Sequence, residues 1–183
     1  RQLYEKNKAE DRNITIAQSN DPHARYCDPF GFPRNMSDEI RSITIATVPN
    51  RTFILLKFMN IWREVWTDGR ALPTNFARGR EAHDPTYNGY SIGRWEDDYT
   101  FVVETIGQNG RTWLDMKGLP GSEGLKVTER FTRPRVGHMD VEVTIDDPTF
   151  YTKPWNVTLK WSLLPDTDLI ESICEENNKD LYD

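Results

Sequence analysis

A chain of 183 residues, 37% of them hydrophobic and 11% aromatic, suits a single domain with a packed core rather than a disordered segment. Its net charge of −6 argues against nucleic acid, and against an anionic membrane surface, as the main partner. The longest apolar run, around FILLKF, is far shorter than a membrane span, so we expect no integral membrane segment. The sequence begins at Arg1 without a methionine, and we therefore expect a processed or trimmed form.

Residues 1–38 predict an N-terminal arm of helix and loop. The opening RQLYEKNKAEDR is polar and compatible with a short helix, and three prolines follow within residues 19–38. From residue 39 onward, alternating and β-branched stretches are separated by turn signals such as DD, RPRVG and PDT. The predicted strands are 39–48, 51–58, 61–67, 90–96, 99–106, 124–132, 138–146, 155–164 and 168–176.

These strands predict an all-β fold class for residues 39–183. No helical period of ten or more residues interrupts them, and most connections are short. The predicted architecture is a single antiparallel β-barrel of about eight to nine strands. A closed barrel is favoured over a sandwich because closure removes the edges that such strands would otherwise expose.

Glu129 is an unusual residue of the predicted barrel. Alternation puts it on the same strand face as Val127 and Phe131, where a carboxylate is uncommon. Two interpretations stay open. Glu129 either belongs to a ligand site, as perturbed buried acids often do, or pairs with an arginine such as Arg63 across the sheet.

Three long connections, residues 68–90, 107–122 and 146–154, carry aromatic and charged side chains beside glycines and prolines. Long loops in a compact β domain are often functional. If the three converge at one end of the barrel, they would cap its interior, and 107–122 would serve as a pocket lid. The alternative is that the glycines and prolines of 107–122 only shape a long turn.

Tyrosine, aspartate and glutamate in such a water-poor mouth can act as acid–base groups. The candidate catalytic residues are Tyr90, Asp115, Glu123 and His138. The residues expected to contact the ligand are Trp62, Trp66, Tyr87, Trp95, Trp113, Glu129, Tyr151, Lys153 and Trp155.

Known catalytic motifs exclude several enzyme classes. No P-loop, dinucleotide fingerprint or HExxH is present, so we expect no cofactor. GYSIG at residues 89–93 matches GxSxG in letters. A serine hydrolase requires a helix directly after this motif, and the sequence predicts none there. His23, His83 and His138 lie in separate segments without ligand spacing, so we expect no metal site.

The two cysteines, Cys27 and Cys174, lie near opposite ends of the chain, without a CxxC motif. In a reducing compartment they would be unpaired core residues, and in an oxidising one they would bridge. The residues alone leave both open.

Several longer motifs resemble a widespread, uncharacterised family of exported bacterial proteins. They are YNGYSIGRWEDDYTFVVETIGQNGRTWLD, GLPGSEGLKVTERFTRP, DVEVTIDDPTFYTKPWNVT and ICEENNKD, and the resemblance covers roughly residues 20–180. It implies a lipocalin-like barrel, a removed signal peptide and a periplasmic or secreted location. It also implies a bridge between Cys27 and Cys174. No activity comes with the resemblance.

Two departures from the family pattern concern histidines. The family often reads G-H-S where this chain has Gly89-Tyr90-Ser91, and P-H-S-E where it has Pro120-Gly121-Ser122-Glu123. If those histidines form a metal or acid–base pair in relatives, this chain lacks it. We also expect Gly121 to leave side-chain-sized room in the site.

Three functions are carried forward. The first is a cofactor-independent acid–base enzyme, a lyase, isomerase or cyclase, acting on a small hydrophobic or aromatic molecule in the barrel. The second is a non-catalytic periplasmic carrier of such a molecule. The third is an envelope scaffold with a filled barrel, which has no room for a ligand. A homodimer is left open.

Overall fold

The computed structural model describes residues 20–37, 42–76 and 83–171, together with the isolated positions 2, 4 and 5. A short helix, α1, covers Pro22–Tyr26 and begins where the Asp21 side chain accepts a hydrogen bond from the His23 amide. The strands are β1 Ile43–Val48, β2 Arg51–Leu56, β3 Ile61–Trp66, β4 Tyr90–Trp95, β5 Thr100–Ile106, β6 Lys126–Arg135, β7 His138–Asp146 and β8 Trp155–Ser162. No helix among the described residues is long and apolar enough to cross a membrane.

The eight strands form one sheet in chain order, from β1 to β8, and the sheet curls into a half-barrel. The predicted all-β class and barrel-like architecture are confirmed in this form. Every neighbouring pair is antiparallel except β3 and β4, which run parallel through Val65 opposite Ser91 and Trp66 opposite Ile92. A parallel pair needs a long return connection, and residues 67–89 supply it.

Eight of the nine predicted strands are present, within a few residues of their predicted ends. Of the ninth, 168–176, the described residues 168–171 form no strand, and the rest lies outside the described residues. Cys174 also lies outside them, so its bridge to Cys27 stays a prediction.

The two ends of the half-barrel differ in what connects the strands. One end carries the tight turns β1–β2, β4–β5 and β6–β7, and we call it the hairpin end. The other carries the connections 107–125 and 147–154 and the start of β4, and we call it the loop end. The nine-residue β7 joins the two ends over roughly 26 Å of strand rise.

The core lies on the concave face and is densest toward the loop end. Its buried members come from β2, β3, β5, β6 and β7, from the connection 107–125 and from the N-terminal segment. They include Phe32, Met36, Leu56, Leu114, Leu125, Val127 and Ile145. Phe32 is anchored at the loop end because its amide donates to the Tyr87 carbonyl at 2.9 Å.

Candidate functional site

A cavity of about 620 Å³ opens at the hairpin end of the half-barrel. Side chains from β1, β2, the β4–β5 hairpin and the β6–β7 hairpin line it. Its volume lies within the range of about 300–1,000 Å³ that small-molecule sites occupy. The strand register explains the position of the cavity, because residues on the concave face of these strands surround the same opening.

The floor and wall of the cavity are apolar. Ile54 and Phe131 are buried and belong to the core. Phe101 and Met139 pack against that core, and Ile45 on β1 closes the far side. A ligand lying here would meet hydrocarbon and aromatic surface over most of its length.

The mouth of the cavity holds large apolar side chains in solvent. Trp95 is 67% exposed, Tyr99 70% and Val136 82%. Trp95 also contacts the Phe101 ring, with centroids 5.1 Å apart. Exposed apolar surface beside a cavity is typical of a binding site.

A glycine explains how one wall of the cavity is built. Gly93 lies on the concave face of β4, where a Cβ atom would fall 2.4 Å from Phe101 Cζ and 2.7 Å from Val65 Cγ1. The missing side chain lets the Phe101 ring lie across the strand. Close approach of a ring to the backbone is a common reason for glycine inside a strand.

Deeper in the half-barrel, Arg63 and Glu129 form a buried ion pair. The guanidinium donates to both carboxylate oxygens, at 3.0 and 2.7 Å. The second nitrogen also lies within 3.2 Å of Thr105 Oγ1, and the guanidinium carbon sits 3.5 Å from the centre of the Phe32 ring. Both side chains are almost fully buried. Of the two interpretations of Glu129, its contacts support pairing with Arg63, and Glu129 does not line the cavity.

The four candidate catalytic residues do not surround one point. Tyr90, Asp115 and Glu123 belong to the loop end, whereas His138 begins β7 at the hairpin end and is exposed. None of the four lines the cavity.

The Asp115 carboxylate is held by backbone hydrogen bonds within its own connection. Its Oδ1 accepts hydrogen bonds from the amides of Lys117 and Leu119, both at 2.9 Å. The carboxylate therefore stabilises the turn inside 107–125. Glu123 in the same connection is exposed.

Tyr90 lies on the convex side of β4, since its neighbour Ser91 points into the half-barrel and is buried. Its hydroxyl accepts a hydrogen bond from Arg70 at 2.9 Å. The His83 ring contacts the Tyr90 ring edge-on, with centroids 5.2 Å apart.

Described parts of the three long connections meet at the loop end, which the sequence alone left open. Asp147 is buried and accepts from the Ser122 amide at 2.7 Å and the Ser122 hydroxyl at 2.8 Å. The Thr86 amide donates to the Gly107 carbonyl at 3.0 Å, which joins the first connection to the second. Asp147 is not among the residues predicted from the sequence, where its only signal is its place in the IDDP stretch at the end of β7.

Tyr151 closes the same junction. Its hydroxyl donates to the Pro120 carbonyl at 2.8 Å, and its ring contacts Trp155 edge-on. Burial, with the carboxylates of Asp147 and Asp115, raises the pKa of the Tyr151 phenol to about 12. The phenol therefore stays protonated near neutral pH and acts as a hydrogen-bond donor.

The connection 107–122 contributes no residue to the cavity described above, so that cavity does not support its prediction as a lid. Gly121 leaves no free room either. It is buried, and a Cβ atom there would lie 3.0 Å from Leu114 Cδ2. Trp113 is half-buried and forms an isolated antiparallel β-bridge with Pro120. This bridge supports the alternative that the glycines and prolines of 107–122 shape a long turn.

The remaining predicted contact residues are spread over the molecule. Trp62 is 63% exposed on the convex face, and Trp66 on that face stacks against the guanidinium groups of Arg51 and Arg70. Half-buried Tyr87 and Trp155 and exposed Lys153 belong to the loop end. Of the predicted contact residues, Trp95 alone lines the cavity.

Titratable side chains do not cluster as metal ligands in the described part of the chain, where no group of three or more His, Cys, Asp or Glu could hold an ion. Comparison with known proteins adds no further assignment: no family profile matches the chain, and no curated protein or solved structure is significantly similar to it.

Proposed function

We propose that this protein binds a small, largely apolar molecule in the cavity at the hairpin end and does not transform it. The observation that carries the proposal is the cavity itself, about 620 Å³ in volume and walled by Ile54, Phe101, Phe131 and Met139. A side-chain-filled scaffold would lack this space. The carrier hypothesis therefore has the strongest support.

The acid–base hypothesis has weaker support because its groups are dispersed. A general acid or base must come within hydrogen-bond reach of the reacting proton. Tyr90, Asp115 and Glu123 lie toward the opposite end of the strands from the cavity, and Asp115 is held by two backbone amides. A lyase, isomerase or cyclase would need them beside the bound molecule.

A pair of substitutions on β1 tests the proposal. Ile45 faces the cavity and is 41% exposed, so Ile45→Trp extends into open space without displacing a packed core. Thr44→Trp puts the same side chain on the convex face of the same strand and is the matched control. The probe is N-phenyl-1-naphthylamine, a neutral aromatic molecule whose fluorescence rises in apolar surroundings.

We expect the wild type and Thr44→Trp to bind the probe with the same affinity and Ile45→Trp to bind it at least roughly tenfold more weakly. One lost tenfold factor corresponds to about 1.4 kcal/mol. If Ile45→Trp binds as well as the control, the probe occupies some other site, and the proposal is wrong.

A further inference from the structure

The rim of the cavity carries two arginines that differ from the other arginines of the sheet. On β6, Val127, Glu129 and Phe131 point to the concave face. The register with β7 is irregular between Thr132 and Arg135, and Arg133 within that stretch lines the rim of the cavity. Arg135 follows two residues later and also lines the cavity. Both are exposed.

Neither guanidinium has a carboxylate partner among the described residues, whereas other arginines of the strands and of the connection after β3 do. The pairs are Arg51 with Glu64, Arg63 with Glu129, Arg70 with Asp68, Arg94 with Glu104 and Arg130 with Glu96. The β6–β7 hairpin thus holds Arg133 and Arg135 at the mouth without neutralising them.

One carboxylate, Asp98, also lines the cavity, on the neighbouring β4–β5 turn. The two guanidinium groups of Arg133 and Arg135 outnumber the one carboxylate of Asp98, so the rim of the cavity carries a net positive charge beside its apolar wall. Arginine presents several N–H donors in a planar fork that matches carboxylate, sulfonate and phosphate oxygens. This combination matches a molecule with an apolar body and one anionic head.

We infer that the ligand is an anionic amphiphile: its apolar part lies along Phe101, Phe131 and Met139, and its head group lies between Arg133 and Arg135. The inference rests on the proposed function and adds the chemical class of the ligand. The Asp98 carboxylate lines the same cavity and therefore favours a singly charged over a doubly charged head group.

Displacement of N-phenyl-1-naphthylamine by three ten-carbon compounds tests the inference. Decanoate, decanol and decyltrimethylammonium share one apolar chain and differ in head-group charge. The test variant is Arg133→Gln/Arg135→Gln. The matched control is Arg94→Gln/Lys160→Gln, which removes the same charge from exposed side chains on the convex face.

In the wild type and the control we expect decanoate to displace the probe at roughly tenfold lower concentration than decanol, the effect of two exposed charge-assisted contacts. The cationic compound is the weakest. In the test variant the preference for decanoate falls to within about twofold, while decanol is unchanged. Circular dichroism confirms that both variants keep the fold.

The preference also weakens as salt is added, because both arginines are exposed. If decanol and decanoate displace the probe equally from the wild type, the ligand has no required charge: this inference is overturned and the proposed function stands. If the probe does not bind at all, the proposed function fails with it. If the control variant loses the preference for decanoate as the test variant does, the preference arises from the overall charge of the protein. This result would overturn the role of Arg133 and Arg135 in binding the head group.

Discussion

The ion pair between Arg63 and Glu129 gives the most quantitative prediction for the fold. Replacing Glu129 by Gln leaves a guanidinium that is 2% exposed without its counter-charge. Breaking a buried pair by removing one partner costs about 3–5 kcal/mol. For a domain of this size each kcal/mol lowers the melting temperature by about 2–4 °C, so we expect a fall of roughly 6–20 °C.

The double variant Arg63→Met/Glu129→Leu gives the contrast. Apolar residues of similar volume replace both charges, which is often nearly neutral. Ser91 and Thr105 keep the 2.8 Å hydrogen bond between their hydroxyls when the guanidinium is removed. We therefore expect the double variant to be more stable than the single variants Arg63→Met and Glu129→Leu, with a coupling energy of about 3 kcal/mol or more.

Urea unfolding followed by tryptophan fluorescence measures each free energy of unfolding. Arg94→Gln, which breaks an exposed pair with Glu104, is the control and should cost no more than about 1 kcal/mol. If Glu129→Gln costs as little as this control, the pair does not stabilise the half-barrel as described. The same holds if the double variant loses as much free energy as Arg63→Met and Glu129→Leu lose together. Probe binding by a folded double variant shows in addition that Glu129 is not a ligand contact.

Three further predictions concern the cavity wall and pH dependence. Gly93→Ala puts a methyl group against the Phe101 ring and should cost about 1–3 kcal/mol in urea unfolding while weakening probe binding; unchanged values in both assays would refute the role of this glycine. The hydrogen bond from Lys126 is the main cause that lowers the pKa of Glu104 below 4.5, so the Glu104 carboxylate stabilises the fold above pH 4.5 and this stabilisation is lost as the pH falls. Glu104→Gln should flatten the fall of the free energy of unfolding at acid pH, and an unaltered slope of that free energy against pH would contradict the prediction. The pKa of Tyr151 is raised from 10.0 to about 12, so the protonated phenol stabilises the fold fully below pH 10 and this stabilisation is lost as the pH rises through 12. Tyr151→Phe should remove this loss of unfolding free energy at alkaline pH, and a loss that persists would point to another group.

The strands were predictable because their signal is local. Val141, Val143 and Ile145 alternate with polar residues along β7, and this period alone identifies the buried face. The same rule placed Glu129 inside, and a buried acid needs a partner, which Arg63 provides. The parallel junction of β3 and β4 was not predictable, because it depends on how residues 67–89 return along the sheet.

The cavity was harder to predict than the strands because it depends on three-dimensional register. Arg133 and Arg135 lie in a stretch, RPRVG, that has the composition of a turn, and nothing local shows that an apolar space lies beneath it. The prominent Trp62 and Trp66 were assigned to a pocket on aromatic content, yet the period of β3 also allows the convex face that they occupy. Trp95 is predicted on the same aromatic content, and it lines the cavity because β4 ends beside the mouth.

The most direct test of the central claim is a two-dimensional ¹H–¹⁵N NMR titration of the wild-type protein with decanoate. We expect the largest amide shifts at the hairpin end, around Tyr99, Phe131, Arg133 and Met139. Shifts concentrated instead at the loop end, around Asp115 and Tyr151, would place the binding site at the junction of the long connections and contradict the proposed function.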